Sequence, residues 1–68
     1  MNKIEEKIFE LEETIYNMHH ANVSIMINNR LGCFKDAAKQ MEIFNENFDS
    51  AINLLAELEC ILSKELAE

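Results

Sequence analysis

The stretch INNRLGCF, Ile27 to Phe34, holds the only glycine in a 68-residue chain that has no proline. Upstream of it, Ile4, Ile8, Leu11, Ile15, Met18 and Ile25 recur at spacings of three, four and seven. With Asn22 and Asn29 they complete a heptad, in which Ile8, Ile15, Asn22 and Asn29 take position a and Ile4, Leu11, Met18 and Ile25 take position d. Downstream, Phe34, Met41, Phe48, Leu55 and Leu62 take a, while Ala37, Phe44, Ala51 and Leu58 take d. Carrying the upstream seam past Asn29 would place Gly32, Asp36 and Lys39 in an apolar core, so the phase breaks between Asn29 and Phe34. The break coincides with the one residue that enters a left-handed helix cap without steric cost. The sequence therefore predicts a turn at about 30–33, between a first helix over about 2–29 and a second over about 34–67. Asn2 followed by Glu5 reads as the start of the first helix, with each side chain reaching the other's backbone N–H.

The two heptads also predict how the helices lie. Pairing Asn29 with Phe34, Asn22 with Met41, Ile15 with Phe48 and Ile8 with Leu55 keeps the sum of residue numbers at 63. Pairing Ile25 with Ala37, Met18 with Phe44, Leu11 with Ala51 and Ile4 with Leu58 keeps it at 62. An antiparallel hairpin needs this constancy, and it sets large residues against small ones in alternate layers. The segment from Phe44 to Ser50, with Asn45, Asn47, Asp49 and Ser50 as poor helix formers, is the place where the second helix would break.

A chain this short buries too little surface to be comfortable alone. Cys33 and Cys60 stand 27 residues apart on what reads as one helix, roughly 40 Å, too far for a disulfide between them. Leu54 and Ile61 on one flank of the second seam, and Ala38, Ile52 and Leu66 on the other, widen the apolar stripe beyond what one helix covers. The expectation is an all-α antiparallel helical hairpin that dimerises into a four-helix bundle, with Asn22, Leu54 and Ile61 fixing the core register or the dimer. In size, lack of proline and alternation of small and large core layers, the chain resembles the Rop family of plasmid RNA-binding regulators. The resemblance implies the same dimeric bundle; it rests on no motif and carries no RNA-contacting residue across, because the polar face is mostly glutamate.

Thirteen acids against six bases give a net charge of −7, which disfavours nucleic acid and anionic lipid and favours a protein partner, one with a basic surface included. Glu5, Glu6, Glu10, Glu12, Glu13, Glu57 and Glu59, with Glu65 and Glu68, gather at the end of the hairpin away from the turn. They read as a solvated face that complements the helix dipole, or as a surface that mimics nucleic acid. A second apolar line, Phe9, Tyr16 and Val23 at b with Met26 and Ile27 beside it, lies about 130° from the seam centre and reads as a face covered by a neighbouring helix or as a docking face for a partner.

His19 and His20 are adjacent and point about 100° apart, so they form no metal pair, and neither a metal nor a cofactor is expected. A nucleophile with its base, a carboxylate pair in a cleft and a phosphate loop are all missing from the pattern, so no enzyme is expected. The start of the chain lacks the uninterrupted apolar run of a signal peptide, and two unpaired thiols suit the cytoplasm. Abundant Asn, Ile, Lys and Glu fit an AT-rich coding sequence of bacterial or phage type. The functional expectation is a small cytoplasmic regulator or inhibitor acting through protein contacts, with a nucleic-acid mimic or a Rop-like RNA binder as alternatives.

Thermal or urea unfolding checks the assignment of faces: Leu11→Ala and Phe48→Ala are each expected to cost about 2–5 kcal/mol, and Glu13→Ala almost nothing.

Overall fold

The computed structural model describes residues 2–67 as two helices, α1 (Lys3–Arg30) and α2 (Phe34–Ala67), folded back on each other. Asn2 caps α1: its Oδ1 accepts from the Glu5 backbone N–H at 2.8 Å, while its Nδ2 donates to the Glu5 carboxylate at 3.4 Å. At the far end Gly32 takes φ +77°. The Gly32 N–H donates to the Asn29 carbonyl (3.2 Å) and the Cys33 N–H to the Asn28 carbonyl (2.8 Å), the paired bonds that close a helix through a left-handed residue. The next helix starts at once, with the Ala37 N–H donating to the Cys33 carbonyl at 3.0 Å. No break occurs between Phe44 and Ser50. Asn47 turns its side-chain amide onto the Ile43 carbonyl (2.8 Å), and Phe44 and Ala51 carry the seam through the segment, which overrides its weak propensity.

The seam between the helices is centred on positions d and g rather than on a and d. Ala21, Ala37, Ala51, Leu54 and Leu58 are buried, and Ile4, Leu11, Met18, Ile25, Phe44 and Ile61 are half-buried. The a residues that the sequence places in the core lie outside: Ile8, Ile15, Met41, Phe48, Leu55 and Leu62 are each between 43% and 53% exposed. Residue volume explains the rotation. Ala21 at g and Ala37 and Ala51 at d let the backbones approach closely, whereas a layer of Phe48 against Ile15 at the contact line would hold them apart. Leu54 and Ile61, read from the sequence as flanking the seam, are therefore part of it. Asn22, read as a buried register residue, is exposed on the a face.

The register along the seam is the one the heptads require. Lys7 of α1 bonds Glu57 of α2, within one or two residues of the constant sums. This lysine lies along the seam with its side chain 23% exposed. The hydrogen bond to Glu57 raises its pKa above the usual 10.5; the charges of Glu10, Glu57 and Glu6 act in the same direction, against partial desolvation. The stabilisation from this ammonium is thus present throughout neutral pH and is lost only as alkali deprotonates it. Asn28 and Thr14, also at the seam edge, bond within their own helix: Asn28 to the Ser24 carbonyl (2.9 Å) and Thr14 to the Glu10 carbonyl (2.8 Å). Among the described residues no buried side-chain nitrogen or oxygen lacks a partner.

A Cβ built on Gly32 would meet nothing within 4 Å, so its left-handed backbone alone sets the cost of replacing it. Gly32→Ala is expected to lose about 1–2 kcal/mol in urea unfolding, and Gly32→Asn less.

Candidate protein-binding surfaces

Antiparallel helices that share a d/g seam turn their a positions to one side of the hairpin and their c positions to the other. On the a side, Ile8 and Ile15 of α1 stand beside Met41, Phe48, Leu55 and Leu62 of α2, with Met26 and Ile52 at the neighbouring e positions, all exposed. Phe48 stacks on Phe44 with ring centroids 6.4 Å apart, so the exposed aromatic continues the half-buried one. The c side is polar. Its open grooves are lined by Asn17, Ser24, Gln40 and Asn47 near the middle and by Glu10, Thr14, Ser50 and Asn53 nearer the termini, with Ala21, Ile43 and Leu54 as their apolar members.

The hairpin is thus one-sided. Its accessible surface is 5380 Å², whereas a folded monomer of 7.9 kDa exposes about 4,400 Å². The excess of about 1,000 Å² is close to the roughly 800 Å² that one partner contributes to a standard interface. Extents of 55 × 18 × 12 Å describe a flat rod rather than a globule, and none of its large side chains among the described residues is fully buried.

Phe9, Tyr16 and Val23, at b, lie about 180° from a seam centred on d and g, so they form the outer edge of α1, directly away from α2. They are 53%, 63% and 40% exposed. Met26 lies between this edge and the a face, and Ile27 lies on the opposite flank of the edge; both are exposed. The acidic residues near the N-terminus border this line. Glu12 and Glu13 share an open groove with Phe9, Tyr16 and Asn17. Glu5 and Glu6 lie two turns nearer the N-terminus, all four carboxylates being exposed. Glu10 and Glu57 are drawn to Lys7 instead, and Glu59 is exposed on α2.

His20 packs its ring against Tyr16 at 5.2 Å between centroids, an aromatic contact rather than one half of a metal site. Among the described residues no three His, Cys, Asp or Glu side chains converge on a point where a metal could sit, and Cys33 and Cys60 are free and exposed. No helix of the described residues is long and apolar enough to cross a membrane. Comparison with protein-family models, with curated proteins and with solved structures finds no match.

Sequence reasoning missed the a face as a surface, because an a/d heptad does not say which of its two lines faces the helix of the same chain. The signal was the distribution of volume: all five a residues of α2 are bulky, while two of its four d residues are alanine. Substitutions separate the buried seam from the open surface. Leu58→Ala, in the buried seam, is expected to cost about 2–5 kcal/mol at every protein concentration, and Leu66→Ala, exposed near the end of α2, less than about 0.5 kcal/mol; urea unfolding measures both.

Proposed function

We propose that the hairpin is a protein-association module: two copies pair through their a faces into a four-helix bundle, and the bundle acts in the cytoplasm as a regulator or inhibitor by binding another protein. The observation that carries this reading is the apolar a face, from Ile8 and Ile15 across to Met41, Phe48, Leu55 and Leu62, on a hairpin whose own seam fully covers none of its large side chains among the described residues. Fully burying a large aliphatic or aromatic side chain contributes about 1.5–3 kcal/mol and the six here are half covered already, so the remaining half, over both chains of a pair, amounts to roughly 9–18 kcal/mol, enough to offset ordinary association costs. Asn22 lies on the same face between Ile15 and Asn29 along the a line, where a polar residue among apolar layers favours one register over the shifted ones.

Charge favours one orientation of the pair. Glu5, Glu6, Glu12, Glu13, Glu57 and Glu59 lie toward the termini, and Arg30, Lys35 and Lys39 lie at or near the turn. Placing the turn of one copy beside the termini of the other sets bases near acids and keeps the two acidic ends apart. The net charge and the exposed glutamates weigh against a Rop-like RNA-binding role, and the concentration of apolar surface weighs against a purely electrostatic mimic of nucleic acid.

Sedimentation equilibrium tests the pairing. The wild-type chain is expected at about twice 7.9 kDa and Leu55→Glu at or near 7.9 kDa, since an unpaired carboxylate in the interface reverses its contribution. A wild-type chain that stays monomeric, or a Leu55→Glu variant that still pairs, would rule the a face out. Phe48→Ala provides a second check: it costs about 3–5 kcal/mol where the a face is covered and under about 1 kcal/mol where it stays open.

A further inference from the structure

The apolar line on the outer edge of α1 and the acidic residues near its N-terminus are two parts of one surface. Phe9, Tyr16 and Val23 recur at every seventh residue and so run straight along the helix for about 21 Å. Glu5, Glu12 and His19 run along one flank of that line, and Glu6, Glu13 and His20 along the other, all exposed. Around Phe9 and Tyr16 the result is an apolar line between two rows of carboxylates, and both rings line an open groove there together with Glu12, Glu13 and Asn17. None of Glu6, Glu12 and Glu13 joins an ion pair among the described residues, and Glu5 meets only its own capping asparagine. Their charge is available to a ligand.

We infer that this edge docks an amphipathic helix of another protein, one whose apolar residues recur at heptad spacing between flanking rows of lysine or arginine. The inference rests on the reading that the hairpin works through protein contacts, and it names the chemistry of the contact. A straight line of knobs at seven-residue spacing matches a helix, whereas an extended strand repeats every second residue and would meet the line out of step. Carboxylates on both flanks select cations on both flanks of the ligand and reject nucleic acid and anionic lipid. A second copy of this chain does not supply them: its bases, Lys3, Lys7, Arg30, Lys35, Lys39 and Lys64, are scattered and flank no apolar line in two rows. The edge points directly away from α2 and about 100° from the a face, so pairing of two hairpins leaves Phe9, Tyr16 and Val23 open on each copy, with the Glu5 and Glu12 row between the two surfaces.

Tyr16 is the only tyrosine in a chain without tryptophan, which makes it an intrinsic reporter at the centre of the line. The test uses the full chain and two synthetic helical peptides of about six turns that lack tyrosine and share one apolar heptad stripe. One peptide carries lysine on both flanks of the stripe and the other glutamate. The lysine peptide is expected to shift Tyr16 emission saturably, to shift the amide resonances of residues 5–23 rather than those of the a face, and to bind several-fold more weakly as salt rises from about 0.05 M to about 0.5 M. Tyr16→Ser is expected to weaken binding at least about tenfold, followed by resonance shifts since the reporter is lost, and Glu12→Gln with Glu13→Gln several-fold.

Equal binding of the two peptides, shifts confined to Phe48, Leu55 and their neighbours, or no saturable binding of the lysine peptide would each overturn the inference. Circular dichroism confirms that the variants, all at exposed positions, remain helical. Sedimentation of the same samples keeps the two readings apart: a monomer that still binds the lysine peptide removes the paired bundle and leaves the docking edge, and a dimer that ignores the peptide does the reverse.

Discussion

Burial of the small residues Ala21, Ala37 and Ala51 on the contact line between the helices governs the rest of this structure. Small side chains at the contact line let the helices meet along d and g, and the meeting rotates the bulky a residues out of the seam. Ala37 lies in a layer with Ile25 and Ala51 in one with Leu11, each a larger residue of the other helix, but most of the large side chains in the seam stay half-exposed, so the hairpin alone leaves much apolar area uncovered. The left-handed Gly32 plays a matching part at the turn. It reverses the chain in three residues, with both helix ends hydrogen-bonded, and so fixes the register that brings Lys7 to Glu57 at the opposite end of the rod.

From that rotation come three distinct surfaces on two helices. The c side is polar and grooved, the a side is a broad apolar sheet, and the outer edge of α1 is a narrow apolar line between carboxylates. Each surface differs in what can cover it. The a side is wide and apolar along its centre, with Glu12 and Glu59 at its margins, which suits a second hairpin of the same kind. The outer edge is narrow and bordered by negative charge, which suits a helix that brings positive charge of its own.

Much of the fold is legible in the sequence. The phase break at Asn29 to Phe34, the lone glycine, the Asn2–Glu5 cap and the constant layer sums give the turn, both helices and their antiparallel register. Which heptad line faces the partner helix of the same chain is not legible in the same way, because a and d residues look alike whether they meet within one hairpin or between two. That is why Asn22 reads as a core residue and lies on an open face, and why Leu54 and Ile61 read as flanking and lie in the seam. The weak helix formers between Phe44 and Ser50 mislead for a different reason: local propensity is worth tenths of a kcal/mol per residue, and the packing of Phe44 and Ala51 exceeds it. Of the candidate surfaces, the line Phe9, Tyr16 and Val23 is legible as spacing. Its union with Glu12 and Glu13 needs the groove to be seen in three dimensions.

The dependence of this hairpin on a cover for its a face is most directly measured by urea unfolding across a hundredfold range of protein concentration. A midpoint that climbs with concentration is expected, because association and folding are then one equilibrium. A cooperative transition with a midpoint that stays fixed over that range would mean that the alanine seam holds the chain unaided, and would contradict the role assigned to the a face.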